Sequence, residues 1–147
     1  MIRSRTQRGT ALVEVTWLAI LLLVPLLYIV LAVFEVQRSA FAVSAAARAA
    51  GRAFSIAPSE AAAPARAQAA ANVALRDQDL AVSRSRLMIS CSPDPDNCLA
   101  PGSVIRVGVT YPVALPLIPS VLGKNTPSIR VEALHSVPYG SFREDRP

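Results

Sequence analysis

The residues whose types and spacing suggest the most specific chemistry lie near the N-terminus, in the run Gly9-Thr10-Ala11-Leu12-Val13-Glu14. A glycine at the border of an apolar segment is accessible to a protease, and cleavage after Gly9 would free the amino group of Thr10. Glu14 places a lone carboxylate at the edge of that segment, where a charge is costly unless it has a partner. The amino group of a freed Thr10 on a neighbouring copy would be such a partner and would set the register between packed helices. The alternative is an ordinary interfacial acid, favoured by the dipole of a helix N-terminus.

The two cysteines form a second chemical feature. Cys91 and Cys98 enclose SPDPDN, a turn-rich segment with two prolines that brings its own ends together. Outside the cytoplasm this spacing predicts a disulfide that tightens a hairpin tip. Two reduced thiols are the alternative if the topology is inverted. Asp94 and Asp96 are predicted to be turn formers, because two carboxylates lack the further oxygen ligands that calcium needs.

Catalysis is not expected. His135 is the single histidine, it alternates with apolar residues, and no nucleophile stands at an identifiable spacing from it. With no other cysteine and no glycine-rich phosphate loop, no metal or other cofactor is predicted. The sequence pI is near 10.0, but the basic residues are dispersed and not interleaved with aromatic residues. These residues therefore show no nucleic acid partner.

These residues depend on one dominant element for their positions. From Val15 to Phe34 the chain has twenty consecutive uncharged residues, enough for a helix of about 30 Å that spans a bilayer. A cleaved signal peptide is the alternative, although its apolar region is typically only ~7 to 15 residues long. Basic residues before the span predict a cytoplasmic N-terminus; they are Arg3, Arg5 and Arg8. Arginines on the far side weaken this assignment; they are Arg38, Arg48 and Arg52.

Helical character continues beyond the span. The alanine-rich stretch that follows predicts one helix from about Thr10 to about Phe54, kinked but not ended by Pro25. A second alanine-rich helix is predicted to start at Ser59 as N-cap and to run to about Arg76. Small residues at a spacing of four allow close helix packing, with helical filler as the alternative; they are Ala42, Ala46 and Ala50.

After residue 77 the apolar residues alternate with polar ones. The runs around residues 87–91, 104–115 and 129–137 predict a small antiparallel sheet of about three strands, with an apolar loop before the last strand. The fold class is therefore α+β. The predicted organisation is a basic leader at 1–9, a transmembrane helix at 10–36, its extracytoplasmic continuation at 37–56, an outer α+β domain at 57–138 and a flexible tail at 139–147.

Two parts of the sequence resemble the TadE/TadG family of pilin-like proteins, which are encoded with tight-adherence (Flp) pilus systems. The stronger part is RGTALVEVTWLAILLLVPLLYIVL followed by VQRSAFAVSAAARAAGRAF, and the looser part is VGVTYPVALPLIPSVLG followed by IRVEALHSVP. The resemblance implies a pilin-like fold, cleavage after Gly9 by a prepilin peptidase, and the role of the pilin glutamate for Glu14. Cleavage would lower the formal net charge from +5 to +2 by removing three arginines.

Major Flp pilins are much shorter than this chain, so the resemblance implies a minor pilin or pseudopilin that acts in pilus assembly or surface adhesion. Its expected partners are the membrane, other pilin-like subunits, the pilus assembly machinery and a prepilin peptidase. The expected location is the cell membrane, with a single span and the C-terminal domain outside. A static membrane-anchored binding module, which is neither processed nor assembled, is the alternative. A secreted soluble protein would require loss of the whole apolar segment.

Overall fold

The computed structural model describes residues 8–114 and 128–146, with side chains described from residue 12 onward. Residues 1–7 of the predicted leader and most of the predicted apolar loop, 115–127, lie outside the described residues. The elements are helix α1 (Arg8–Ser55), helix α2 (Ala63–Arg76), a 3₁₀ helix (Val82–Arg84) and strands β1 (Arg86–Ser92), β2 (Val104–Ala114) and β3 (Ser128–Pro138). A long apolar helix, a second helix and a three-stranded antiparallel sheet confirm the α+β class.

Helix α1 is continuous over 48 residues, with Pro25 inside it. At 1.5 Å per residue it is about 72 Å long. The prediction of one helix from about Thr10 to about Phe54 is therefore confirmed to within two residues at either end. Alanine, which has the highest helix propensity, supplies much of its second half.

Helix α2 begins four residues later than the predicted N-cap, Ser59. Its N-cap is Ala62, which makes no side-chain capping hydrogen bond, and Pro64 lies in the first turn. Proline suits this position because the first helical N–H groups have no partner within the helix. One face of α2 is buried at a spacing of four residues, in the order Ala63, Ala67, Ala71 and Leu75.

The sheet has the strand order β1-β2-β3, with both pairs antiparallel. Central strand β2 buries one face as the alternation predicted, at Ile105, Val107, Val109, Tyr111 and Val113. Helix α1 crosses this face at Gly51. A Cβ atom added there would lie 2.8 Å from Cγ2 of Val137 and 3.3 Å from Cδ2 of His135. The core therefore lies between the outer half of α1, helix α2 and the sheet.

Candidate membrane and assembly site

The first half of α1 is apolar on nearly every side, and the described chain leaves most of it uncovered, since only Tyr28 and Ala32 near its end are half-buried. Its large apolar side chains from Leu12 to Phe34 are all exposed, the least exposed being Val30 at 41%. The most apolar 18-residue stretch has a mean hydropathy of 2.8, and none of it is buried. This helix is long and apolar enough to cross a membrane. An apolar surface of this extent marks contact with lipid or with another protein.

Glu14 lies on this exposed surface near the beginning of the helix. It shares a shallow groove with Trp17, Leu18 and Leu21, which follow it by three, four and seven residues and so lie on the same helix face. Within the described part of the chain Glu14 makes no ion pair. Any helix that covers Leu18 and Leu21 would therefore also remove water from the Glu14 carboxylate.

Gly9 and Thr10, the predicted processing site, lie in the first turn of α1. The first four N–H groups of a helix have no acceptor within it. Opening this turn for a protease therefore breaks few hydrogen bonds. Cleavage at this position stays a prediction.

No family model, no curated protein and no solved structure matches this chain. The resemblance to TadE/TadG proteins therefore stays a prediction.

The outer end of the apolar run is marked by an ion pair. Nη2 of Arg38 donates to Oε1 of Glu35 at 2.9 Å, one helical turn away. This hydrogen bond, together with the negative charge of Glu35, raises the pKa of Arg38 above its ordinary value. Immediately beyond the pair, Ser39 is fully buried, so α1 passes from exposed surface into the protein core within about one turn.

Ala42, Ala46 and Ala50 are each 0% exposed. Their spacing of four places them on one helix face. Around the helix axis this face is at least about 100° away from Gly51, which faces the sheet. Helix α2 packs on this half of α1, and its own buried stripe is also mostly alanine. Because these three side chains are already buried inside the domain, contacts between copies would have to use other surfaces.

Cys91 and Cys98 form a disulfide, as their spacing predicted. It joins the end of β1 to the turn that leads back toward β2, at a Cα–Cα distance of 5.2 Å. The backbone N–H of Cys98 also donates to the Glu60 carboxylate at 2.9 Å. This bond ties the turn between α1 and α2 to the disulfide loop. This role of Glu60 leaves no local signal in the sequence, because 38 residues separate the two partners.

The C-terminal segment contributes a second connection that the sequence analysis missed. Nη1 of Arg143 donates to the Ser55 carbonyl at 2.9 Å, and Nη1 of Arg146 donates to the Ala57 carbonyl at 3.1 Å. Tyr139 is 1% exposed, and the Arg143 guanidinium lies 4.8 Å from the centre of its ring. The first bond satisfies a carbonyl in the last turn of α1, which has no N–H donor within the helix, and the second satisfies the carbonyl of Ala57 just beyond the helix. How mobile residues 139–147 are stays a prediction.

The remaining polar candidates occupy structural positions. His135 is half-buried and contacts α1 beside Gly51. The Asp94 carboxylate accepts the N–H of Asp96 at 3.0 Å, which is an Asx turn. In the described ranges no three His, Cys, Asp or Glu side chains converge on a position that would hold a metal ion.

Proposed function

We propose that the chain is a TadE-like minor pilin or pseudopilin of a tight-adherence pilus, which crosses the membrane once and acts by helix-helix association. The observation that carries the proposal is the division of α1. One uninterrupted helix has an exposed apolar first half and a second half that forms the core of a small domain. Such a helix holds a folded domain at a fixed position on an apolar rod that other helices can cover.

Glu14 supplies specificity in this mechanism. A neighbouring helix that packs on Leu18 and Leu21 would leave the carboxylate in a poorly solvated position. An unpaired charge there is strongly unfavourable, whereas an amino group on the neighbour restores the lost interaction. Only a register that brings the N-terminus of one copy to Glu14 of the next would then be stable.

The orientation places the N-terminus in the cytoplasm and the α+β domain outside. The Cys91–Cys98 disulfide supports this orientation, because disulfides persist in oxidising compartments. The arginines of the leader support it as well.

The first test is the intact mass and the N-terminal residue of the protein isolated from its native membrane. Processing predicts a chain that begins at Thr10. A chain that begins at Met1 or Ile2 would contradict processing and favour the static anchored module.

The second test measures association between copies with a photo-crosslinking residue at Leu21. Glu14→Gln removes the charge and keeps the size, so crosslinked dimers should decrease by about tenfold, the ratio that corresponds to ~1.4 kcal/mol. Glu35→Gln is the matched control, because it removes an acid from the same helix on the outer side of the apolar run. Equal dimer yields from Glu14→Gln and the unaltered chain would refute the role of Glu14.

A further inference from the structure

Strand β3 runs alongside α1 in the same direction. Ile129, at the start of the strand, lines a groove with Val33 and Val36, whereas Val137, near its end, contacts α1 at Gly51. The fifteen residues from Val36 to Gly51 span about 22 Å of helix, and the eight from Ile129 to Val137 span about 26 Å of strand. The start of β3 therefore lies beside the outer end of the apolar run.

A basic groove of about 580 Å³ opens at this same end of the sheet. Three arginines line it, and Glu132 is the one acidic residue among its described lining residues. Ser83, Ser85 and Thr110 add hydroxyl groups to the lining. The arginines are Arg84, Arg86 and Arg130.

The charge of this groove is not neutralised within the described chain. None of its three arginines makes an ion pair in residues 12–114 and 128–146. Against the single carboxylate of Glu132, the three described arginines leave a local charge of +2.

The arginines lie at the depth of phospholipid headgroups if α1 spans the bilayer. Arg130 is one residue beyond Ile129, or about 3 Å along the strand. Arg86 shares a row with Thr110 and Glu132, about 10 Å beyond Ile129. Strand β1 runs parallel to β3 and therefore away from the apolar run. Arg84 precedes Arg86 by two residues, so it lies nearer to the membrane than Arg86 does. The headgroup layer extends about 5 to 7 Å beyond the hydrocarbon, within reach of all three side chains.

We propose that this basic groove binds the phosphate groups of anionic phospholipids in the outer leaflet and holds the domain in one orientation on the membrane. The guanidinium group matches phosphate because its N–H donors form paired hydrogen bonds with two oxygens. Arg84 is positioned by the ring of Tyr111, whose centre lies 5.6 Å from its guanidinium carbon. The proposal rests on the single membrane span of the proposed function and not on pilus assembly.

The test uses the full chain in nanodiscs that contain spin-labelled phosphatidylglycerol or spin-labelled phosphatidylcholine. The fraction of each lipid immobilised by the protein gives its relative affinity. We expect a preference for phosphatidylglycerol of about 25-fold, because each of the two net positive charges of the groove contributes about fivefold. The triple variant Arg84→Ala, Arg86→Ala, Arg130→Ala should abolish the preference. Replacing the same three by lysine should keep part of it, because charge remains and the paired hydrogen bonds do not.

A matched control removes the same charge away from the membrane end, by Arg52→Ala, Arg66→Ala and Arg106→Ala. All three side chains are exposed, and the control should retain the preference. Equal preferences in the two alanine variants would overturn the proposal, as would no preference in the unaltered chain. Near-ultraviolet circular dichroism of the buried Tyr111 and Tyr139 checks that each variant is folded.

Two further outcomes are informative. Inorganic phosphate, added at constant ionic strength, should leave the lipid preference unchanged. If phosphate abolishes it, the groove serves soluble phosphate, and the lipid proposal is overturned. Failure of the unaltered chain to incorporate into nanodiscs would refute the membrane span and this proposal together, whereas incorporation without lipid preference would refute this proposal alone.

Discussion

Helix α1 packs closely against strand β3 at Gly51. The substitution Gly51→Ala tests this close packing. The new Cβ would lie 2.8 Å from Cγ2 of Val137, a distance at which one of the two groups must move. Val137 is β-branched and has little rotamer freedom, and it belongs to a strand paired along its length with β2. The clash cannot therefore be relieved by a small rotation of a flexible side chain.

The expected magnitude is the difference between two opposing effects. Overpacking of a core costs typically about 1 to 3 kcal/mol, whereas replacing glycine by alanine inside a helix contributes about 1 kcal/mol of stability. We therefore expect Gly51→Ala to lower the free energy of unfolding by about 1 kcal/mol, or roughly 4 to 8 °C in Tm for a domain of this size. In a Val137→Ala background the 2.8 Å contact is removed and only the 3.3 Å approach to Cδ2 of His135 remains, so the same substitution should increase stability, by less than ~1 kcal/mol.

The assay is thermal unfolding of the full chain in detergent, followed by the near-ultraviolet circular dichroism of Tyr111 and Tyr139, which are 5% and 1% exposed. The sign change between the two backgrounds is the decisive observation. If Gly51→Ala raises Tm when Val137 is intact, the close approach of α1 to β3 is wrong.

Three further predictions concern the connections of the outer domain. Replacing Cys91 and Cys98 by serine should lower stability by about 2.5 kcal/mol, as estimated for a closed loop of this length; a reductant should then lower the Tm of the unaltered chain but not of the variant. Glu60→Ala should cost about 1 to 2 kcal/mol, because the Cys98 N–H loses a charged acceptor, and Glu60→Gln should cost less; equal Tm values for the two variants would contradict this. Arg143→Ala should cost about 1 to 2 kcal/mol through the lost hydrogen bond and the lost contact with an aromatic ring, whereas Arg66→Ala, which removes an exposed arginine from α2, should leave the Tm unchanged.

Local patterns were sufficient to predict the regular elements. Twenty uncharged residues and an alanine-rich continuation predicted α1, and strict alternation around Val107 predicted β2 with its buried face. Both signals repeat over many residues, so a single exception does not obscure them. The N-cap of α2 was predicted three residues too early, because Ser59 resembles an N-cap while Pro64 favours a later first turn.

Contacts between distant segments could not be predicted in this way. Glu60 binds the N–H of Cys98, and Arg143 binds the carbonyl of Ser55 across 88 residues of sequence. Neither pair leaves a periodic signal, and an arginine in a polar tail resembles any solvated arginine. The basic groove was missed for the same reason, since Arg84 and Arg130 come together only when the sheet forms. The exposed position of Glu14 could be predicted from the apolar residues around it. The proposed partner of its carboxylate could not, because that partner would belong to another copy of the chain.

The unbroken course of α1 also has a mechanical consequence. From Phe34 to Ser55 the helix extends about 31 Å past the apolar run, with no loop at which the domain could swivel. Tilting the rod by about 20°, a common inclination for a membrane helix, would displace its far end sideways by roughly 11 Å. A lateral force on the far end of the domain would likewise be transmitted along the helix to its exposed apolar half. The continuous helix therefore couples the position of the domain to the inclination of the apolar half.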